Sequence, residues 1–191
     1  AMPVAYWRLD ELAGPHAIDS SGRNRDAIYE PGVVFFLEGA RSDVFCTHNE
    51  TNRAAHFAGG RLRSRITNLG DRYTVSLWFW NGMPNEARET AGWIFSRGRN
   101  HGLGPHGDHL GIGGTATSPG KLIFLHGNGT TPIVGRTITK RWTWNHVLFV
   151  RDGTMVRAYL NGNSQPEIET KSPSDFPSSQ FVFGGRCDNQ S

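Results

Sequence analysis

The sequence predicts an all-β fold of short antiparallel strands, and three observations carry that prediction. The first is the stretch WNHVLFVRDGTMVRAYLNGNSQPEIE at 144–169. It holds two β-branched and aromatic runs, 147–151 and 154–160, closed by the turn dipeptides Asp152-Gly153 and Asn161-Gly162. Turn dipeptides of this kind between such runs are a strong hairpin signal. The second is punctuation: 24 glycines and 10 prolines in 191 residues cut the chain into short runs. The third is that no stretch has the apolar periodicity of an amphipathic helix. Many short strands at regular spacing with Gly/Pro turns read as a sandwich or a barrel.

The elements follow in order. Residues 4–9 form a first short strand carrying Tyr6 and Trp7, and 10–27 form a polar, turn-rich loop. The apolar run 28–37 is broken by Pro31-Gly32. Residues 54–57 form a strand that Gly59-Gly60 turns, and 62–66 alternate apolar with polar. Residues 73–80 are the most apolar strand, and 93–96 form the next. RGRNHGLGPHGDH at 97–109 is a Gly/His loop. Strands at 110–112 and 121–126 flank GGTATSPG, and 133–140 is a polar strand. The opening hairpin, the loop KSPSDFPSS and a last strand at 180–183 complete the series. With no linker-like segment and no repeat, the chain reads as one domain over 3–191, Ala1-Met2 being an appended remnant.

Composition limits the partners. The formal charge of +3 is small, and stretches such as GRNR and GRLRSR are not continuous basic runs, so a nucleic-acid partner is not expected. No apolar stretch reaches the 18 residues or so of a membrane span. Cys46 and Cys187 are too few for a four-ligand zinc site; they pair as one disulfide in an oxidising compartment or stay as two buried thiols.

Eight motifs in order resemble a known family. They are AYWRLDE (5–11), DSSGRNRDA (19–27), AAHFAGG (54–60), YTVSLWFW (73–80), WIFSRG (93–98), GKLIFLHGNG (120–129), WTWNHVLFVRDGTMVRAYLNG (142–162) and FVFGG (181–185). The order is similar to that of bacterial laminin-G-like domains of the concanavalin A-like jelly-roll superfamily. This resemblance implies an antiparallel two-sheet sandwich. It also implies a non-catalytic recognition module of a secreted, periplasmic or cell-surface protein, binding carbohydrate first, with a protein-interaction, adhesion or spacer domain as the alternative and a glycan-cleaving enzyme as the third reading. Family members usually follow the late Gly-Gly with a strand of the type F-x-G-x-I-D-E-V-x-I-Y, which this sequence lacks. That strand normally pairs near the N-terminal one, so an exposed edge is expected around Tyr6, open to another chain or to a tail.

Candidate sites follow. Asp19, Asn24 and Asp26 in DSSGRNRD offer oxygens to a hard cation, and the resemblance implies a structural Ca²⁺ there; the alternative is a loop of side-chain turns. His101, His106, Asp108 and His109 in the Gly/His loop are candidate ligand-binding residues, against the reading of a mobile polar insertion. Trp78 and Trp80 share one parity of their strand, as Trp142 and Trp144 share another, and exposed indoles stack on sugar rings as readily as buried ones fill cores. The acidic alternation Glu167-Ile168-Glu169 has no aromatic companion, so it does not read as a glycosidase pair.

Overall fold

The computed structural model describes residues 2–41, 51–99, 102, 104, 106–174 and 178–188. Within them the chain forms fourteen strands and no helix. They are β1 (His16–Ala17), β2 (Ala27–Tyr29), β3 (Val33–Glu38), β4 (Arg53–Phe57), β5 (Leu62–Arg65), β6 (Arg72–Trp80) and β7 (Thr90–Gly98). They continue as β8 (Asp108–Gly113), β9 (Lys121–His126), β10 (Ile133–Ile138), β11 (Trp144–Asp152), β12 (Met155–Leu160), β13 (Ile168–Lys171) and β14 (Gln180–Phe183). An eight-stranded sheet in the order β1-β2-β5-β14-β7-β8-β9-β10 faces a four-stranded sheet in the order β13-β12-β11-β6. The two layers form the antiparallel sandwich that the hairpin signals predict. A separate antiparallel pair, β3–β4, packs Val33, Phe35, Ala55 and Phe57 against Ala17, Ala27, Tyr29 and Leu62 of β1, β2 and β5.

Alternation explains the layering. In β11, Val147, Phe149 and Arg151 point inward and are fully buried, while the residues between them face outward. β12 repeats the pattern with Val156, Ala158 and Leu160 inward. Aromatic rings then interlock between the sheets. Phe149 meets Phe95 of β7 edge-on at 4.9 Å and lies 5.9 Å from Phe124 of β9. Packing of this kind adds about 0.5–1.5 kcal/mol per pair beyond the area buried.

One polar lock crosses the same core. Arg151 donates through Nε (3.0 Å) and Nη2 (2.9 Å) to the two carboxylate oxygens of Asp108 on β8, and all of these groups are buried. The Tyr73 hydroxyl on β6 donates to the same carboxylate at 2.5 Å, and burial beside that charge holds the phenol protonated well above its usual range. Arg151 also donates through Nη1 to the Ser172 carbonyl at 3.0 Å and through Nη2 to that of Pro173 at 2.7 Å. Asp108 thus binds the two sheets together and is not a loop ligand.

Several expectations change. Residues 4–9 are not a strand; their backbone pairs at the bridge Trp7–Asp19 and through bonds from Tyr6 N to Asp19 Oδ1 and from Ser20 N to Tyr6 O, while Trp7 Nε1 donates to Arg25 O at 2.9 Å and its ring packs 5.7 Å from Phe183. Residues around Tyr6 therefore form no strand edge; among the described residues β6 and β13 end the four-stranded sheet. The Gly/His loop gives way to β8 at Asp108, two residues earlier than the pattern suggests, because Asp108 and His109 pair with Arg97 and Ser96 on one side and with His126 and Leu125 on the other.

Candidate functional site

The outer face of the four-stranded sheet is where the predicted tryptophans gather. Register fixes the rows. Trp80 lies opposite Trp144, Trp78 opposite His146, Ser76 opposite Leu148, and Thr74 opposite Val150. Leu148 continues to Tyr159 of β12, and Val150 to Arg157 and then Glu169. Because β6 and β11 alternate strictly, filling the core with Tyr73, Val75, Leu77 and Phe79 forces Ser76, Trp78 and Trp80 to the solvent side. Trp78 is 46% and Trp80 49% exposed, although indoles of this size are normally well buried.

The rings form a strip. Trp80 and Trp144 meet edge-on with centroids 5.9 Å apart at 70°. Trp78 and His146 lie 5.2 Å apart at 51°. His146 Nε2 is 2.9 Å from Ser76 Oγ, which fixes the imidazole orientation, and partial burial pushes its pKa down. Trp142 extends the strip at the Trp80 end. A Cβ placed on Gly82 would stand 3.2 Å from the Trp80 ring and 3.7 Å from that of Trp142, so the glycine lets the two indoles close around it.

Trp142 is 63% exposed and holds the left-handed conformation, with φ at 57°. That region costs an L-residue roughly 1–2 kcal/mol. The chain stays there because Trp142 N donates to Asn81 O at 2.9 Å, while the Asn81 side chain donates to Thr139 Oγ1 at 2.8 Å. The Arg141 guanidinium lies over the indole at 4.9 Å. Strain of this kind tends to collect at functional positions. Nothing in the sequence pattern marks Trp142 beyond its parity with Trp144.

Charged groups sit at the far end of the face, in pairs. Arg72 meets Asp152 at 3.3 Å and Arg157 meets Glu169 at 3.4 Å. Glu167 is buried, and its carboxylate accepts from Arg136 N, Thr137 N and Thr137 Oγ1 at 2.8 Å each, joining β10 to the start of β13. Neither Glu167 nor Glu169 faces the indole strip as a free acid.

The other sequence candidates separate. His109 is fully buried, with Nδ1 2.6 Å from Ser96 Oγ, and burial lowers its pKa to about 4. A surface ligand reaches neither it nor Asp108. His106 is half-buried, its ring 6.1 Å from that of His126, and His101 lies outside the described residues. Trp93 is buried on the outer side of the larger sheet, with the Arg186 guanidinium 4.8 Å from its ring. Cys187 is a buried free thiol whose pKa burial raises; Cys46 lies outside the described residues.

In the loop expected to take calcium, Asp19 accepts four hydrogen bonds. Tyr6 N and Ser21 N donate to Oδ1, and Ser21 Oγ and Arg25 N to Oδ2. Burial alone raises the Asp19 pKa, but these donors together outweigh it and hold the value at about 2. Asp26 Oδ1 accepts from Asp19 N at 2.8 Å, and Asn24 is exposed with φ at 55°. Among the described residues no group of three or more His, Cys, Asp or Glu is arranged to hold a metal ion.

A family profile described as the concanavalin A-like lectin/glucanases superfamily, of laminin G type, matches residues 51–191. No curated protein sequence matches. Among solved structures, domain 4 of AbnA, a GH43 extracellular arabinanase from Geobacillus stearothermophilus, in complex with arabinotriose, is similar at 19% identity. That match covers 86% of this chain and 76% of the other, with a TM-score of 0.54. A GH54 α-L-arabinofuranosidase, an E221Q mutant soaked with 4-nitrophenyl α-L-arabinofuranoside, is similar at 12% identity, covering 92% of this chain and 44% of the other, with a TM-score of 0.52. At these identities the likeness is one of fold.

Proposed function

Because the chain belongs to the concanavalin A-like lectin/glucanases superfamily, we propose that it is a non-catalytic carbohydrate-recognition module of an extracellular or cell-surface protein, binding its glycan on the outer face of the four-stranded sheet. The observation that carries this reading is the row of exposed indoles. Trp78, Trp80 and Trp142 present apolar, weakly hydrated surfaces to solvent along one end of a rigid sheet. The C–H faces of sugar rings match such surfaces, and the rigid indoles lose little conformational freedom on binding. Ser76 and His146, already hydrogen-bonded to each other, lie beside the strip and offer polar atoms to ring hydroxyls.

The distribution of acids favours recognition over cleavage. A glycosidase needs two carboxyl groups about 5–10 Å apart across the scissile bond. The acids of this face, Asp152 and Glu169, are each paired with an arginine and lie on the rows away from the indoles. The fold neighbours include a sugar-bound domain of an arabinanase, which makes arabinose-containing oligosaccharides a natural first probe set. A glycan array followed by calorimetric titration tests the reading. Wild-type protein binds at least one oligosaccharide without shortening it, and Trp78→Ala and Trp80→Ala each weaken that binding roughly five- to tenfold, the range of one aromatic contact. Undiminished binding by both variants would remove the face from the function.

A further inference from the structure

We propose that Arg141 makes the glycan site selective for an acidic oligosaccharide, one whose carboxylate or sulfate group reaches the Trp142 end of the indole strip. This inference rests on glycan binding at that strip and adds the charge of the ligand. Arg72, Arg157 and Arg141 lie on or beside the outer face of the four-stranded sheet. Arg72 is paired with Asp152, and Arg157 with Glu169. Arg141 differs. Among the described residues no carboxylate pairs with it or with its exposed neighbour Lys140.

The guanidinium is held in place by an indole and not by an acid. It lies 4.9 Å from the centre of the Trp142 ring, and its Nε is buried with no hydrogen-bond partner among the described residues. A buried donor without a partner costs free energy, as does the left-handed backbone of Trp142. Core packing offsets neither cost, because Arg141 is only half-buried and Trp142 is exposed. A ligand anion offsets the first. The planar fork of donors on a guanidinium fits two oxygens of one acid group.

The backbone on both sides of Arg141 is clamped. Asn145 Nδ2 donates to the carbonyls of Lys140 at 2.8 Å and of Thr143 at 3.2 Å. Thr139 N and Thr139 Oγ1 both donate to Gly120 O at 2.8 Å. Asn145 and Thr139 are themselves buried. The loop is thus ordered before a ligand arrives, and little freedom is lost on binding. The acids of the face do not compete for Arg141. Asp152 ends β11 at the opposite end from Trp144, and Glu169 shares the row of Val150 and Arg157. At a rise of about 3.4 Å per residue, both lie roughly 20 Å or more from the Trp144 row. That is beyond the screening length of about 8 Å in physiological salt.

Matched oligosaccharides test this. The probes are tetrasaccharides of galacturonate, guluronate and glucuronate, each beside its carboxyl-reduced neutral form, and a sulfated galactan tetrasaccharide beside its desulfated form. In calorimetric titration at least one acidic member binds roughly tenfold more tightly than its neutral partner, the worth of one charge-assisted contact. Whether that member is a uronate or the sulfated probe identifies the acid group. Arg141→Met keeps the apolar stem, brings the acidic member down to the affinity of its neutral partner, and melts within about 2 °C of wild type. Arg65→Met, at an exposed arginine on the larger sheet, alters neither the preference nor the melting temperature. The inference is overturned if no acidic member outbinds its neutral partner. A preference that survives Arg141→Met, or that falls equally with Arg65→Met, also overturns it. In each of these cases the indole strip stands as long as Trp78→Ala weakens the neutral members. Neutral binding untouched by Trp78→Ala and Trp80→Ala removes the strip instead, and this inference with it.

Discussion

Replacing Asp108 by Asn separates a structural role from a binding role. The substitution keeps the shape but removes the charge that faces Arg151 Nε at 3.0 Å and Nη2 at 2.9 Å, and it disturbs the 2.5 Å bond from Tyr73. A fully buried guanidinium then loses its counter-charge, a change that typically costs about 3–5 kcal/mol. Domains hold a total stability of about 5–15 kcal/mol, so the loss is a large share of it. For a chain of this size each kcal/mol moves the melting temperature by about 2–4 °C, giving a fall of about 6–20 °C. Differential scanning calorimetry reads it directly. The double variant Asp108→Asn with Arg151→Met should recover much of the loss, because removing both partners leaves no orphaned charge. The reasoning fails if Asp108→Asn melts within about 2 °C of wild type, an effect expected of an exposed residue. It fails outright if that variant also loses glycan binding, which would return Asp108 to the ligand set that its loop-like sequence suggests.

Other outcomes follow from the same structure. His109 is held neutral to about pH 4 in the fold but titrates near 6.5 when unfolded. The unfolded state therefore binds the extra proton first, and stability should decline as pH falls from about 6.5 to about 4, by on the order of 3 kcal/mol in all. His109→Gln should flatten that window and leave the further loss between about pH 4 and about pH 2, where the unfolded chain protonates Asp19 before the fold does. Calcium is read by melting scans with calcium and with chelator. With both Asp19 oxygens already engaged by four donors, the midpoint should not move, and a rise that scales with calcium would reinstate Asp19, Asn24 and Asp26 as its ligands. Trp142→Gly relieves the left-handed backbone, so it should leave stability unchanged or raise it by up to about 1 kcal/mol while weakening glycan binding; a weaker fold with unchanged binding would count against the indole strip.

Much of the fold was legible because burial enforces period two. The runs at 147–151 and 154–160 declare themselves by β-branched and aromatic residues closed by turn dipeptides, the strand at 73–80 by its apolar content, and the parity of Trp78 and Trp80 places both on one face. What failed depended on distant partners. β13 has one inward apolar anchor, Ile168, among Glu169, Thr170 and Lys171, too little for a pattern to register. Asp108 and His109 follow a glycine-rich stretch and read as loop. They become strand through pairing with β7 and β9, and Asp108 becomes core through an arginine 43 residues away. Residues 4–9 are apolar enough for a strand, yet their backbone finds a partner at Trp7–Asp19 alone among the named bridges. The left-handed turn that exposes Trp142 is set by Asn81, far off in sequence, and leaves no local signal.

The most direct measurement is the indole N–H region of a nitrogen–proton correlation spectrum, recorded as a bound oligosaccharide is titrated in. The six tryptophans are assigned by substitution. Signals of Trp78, Trp80, Trp142 and Trp144 should shift together and saturate with one affinity, while those of Trp7 and Trp93, which sit away from the strip, stay in place. Shifts confined to Trp7 or Trp93, or a saturated complex in which the four strip signals do not move, would contradict carbohydrate recognition on this face.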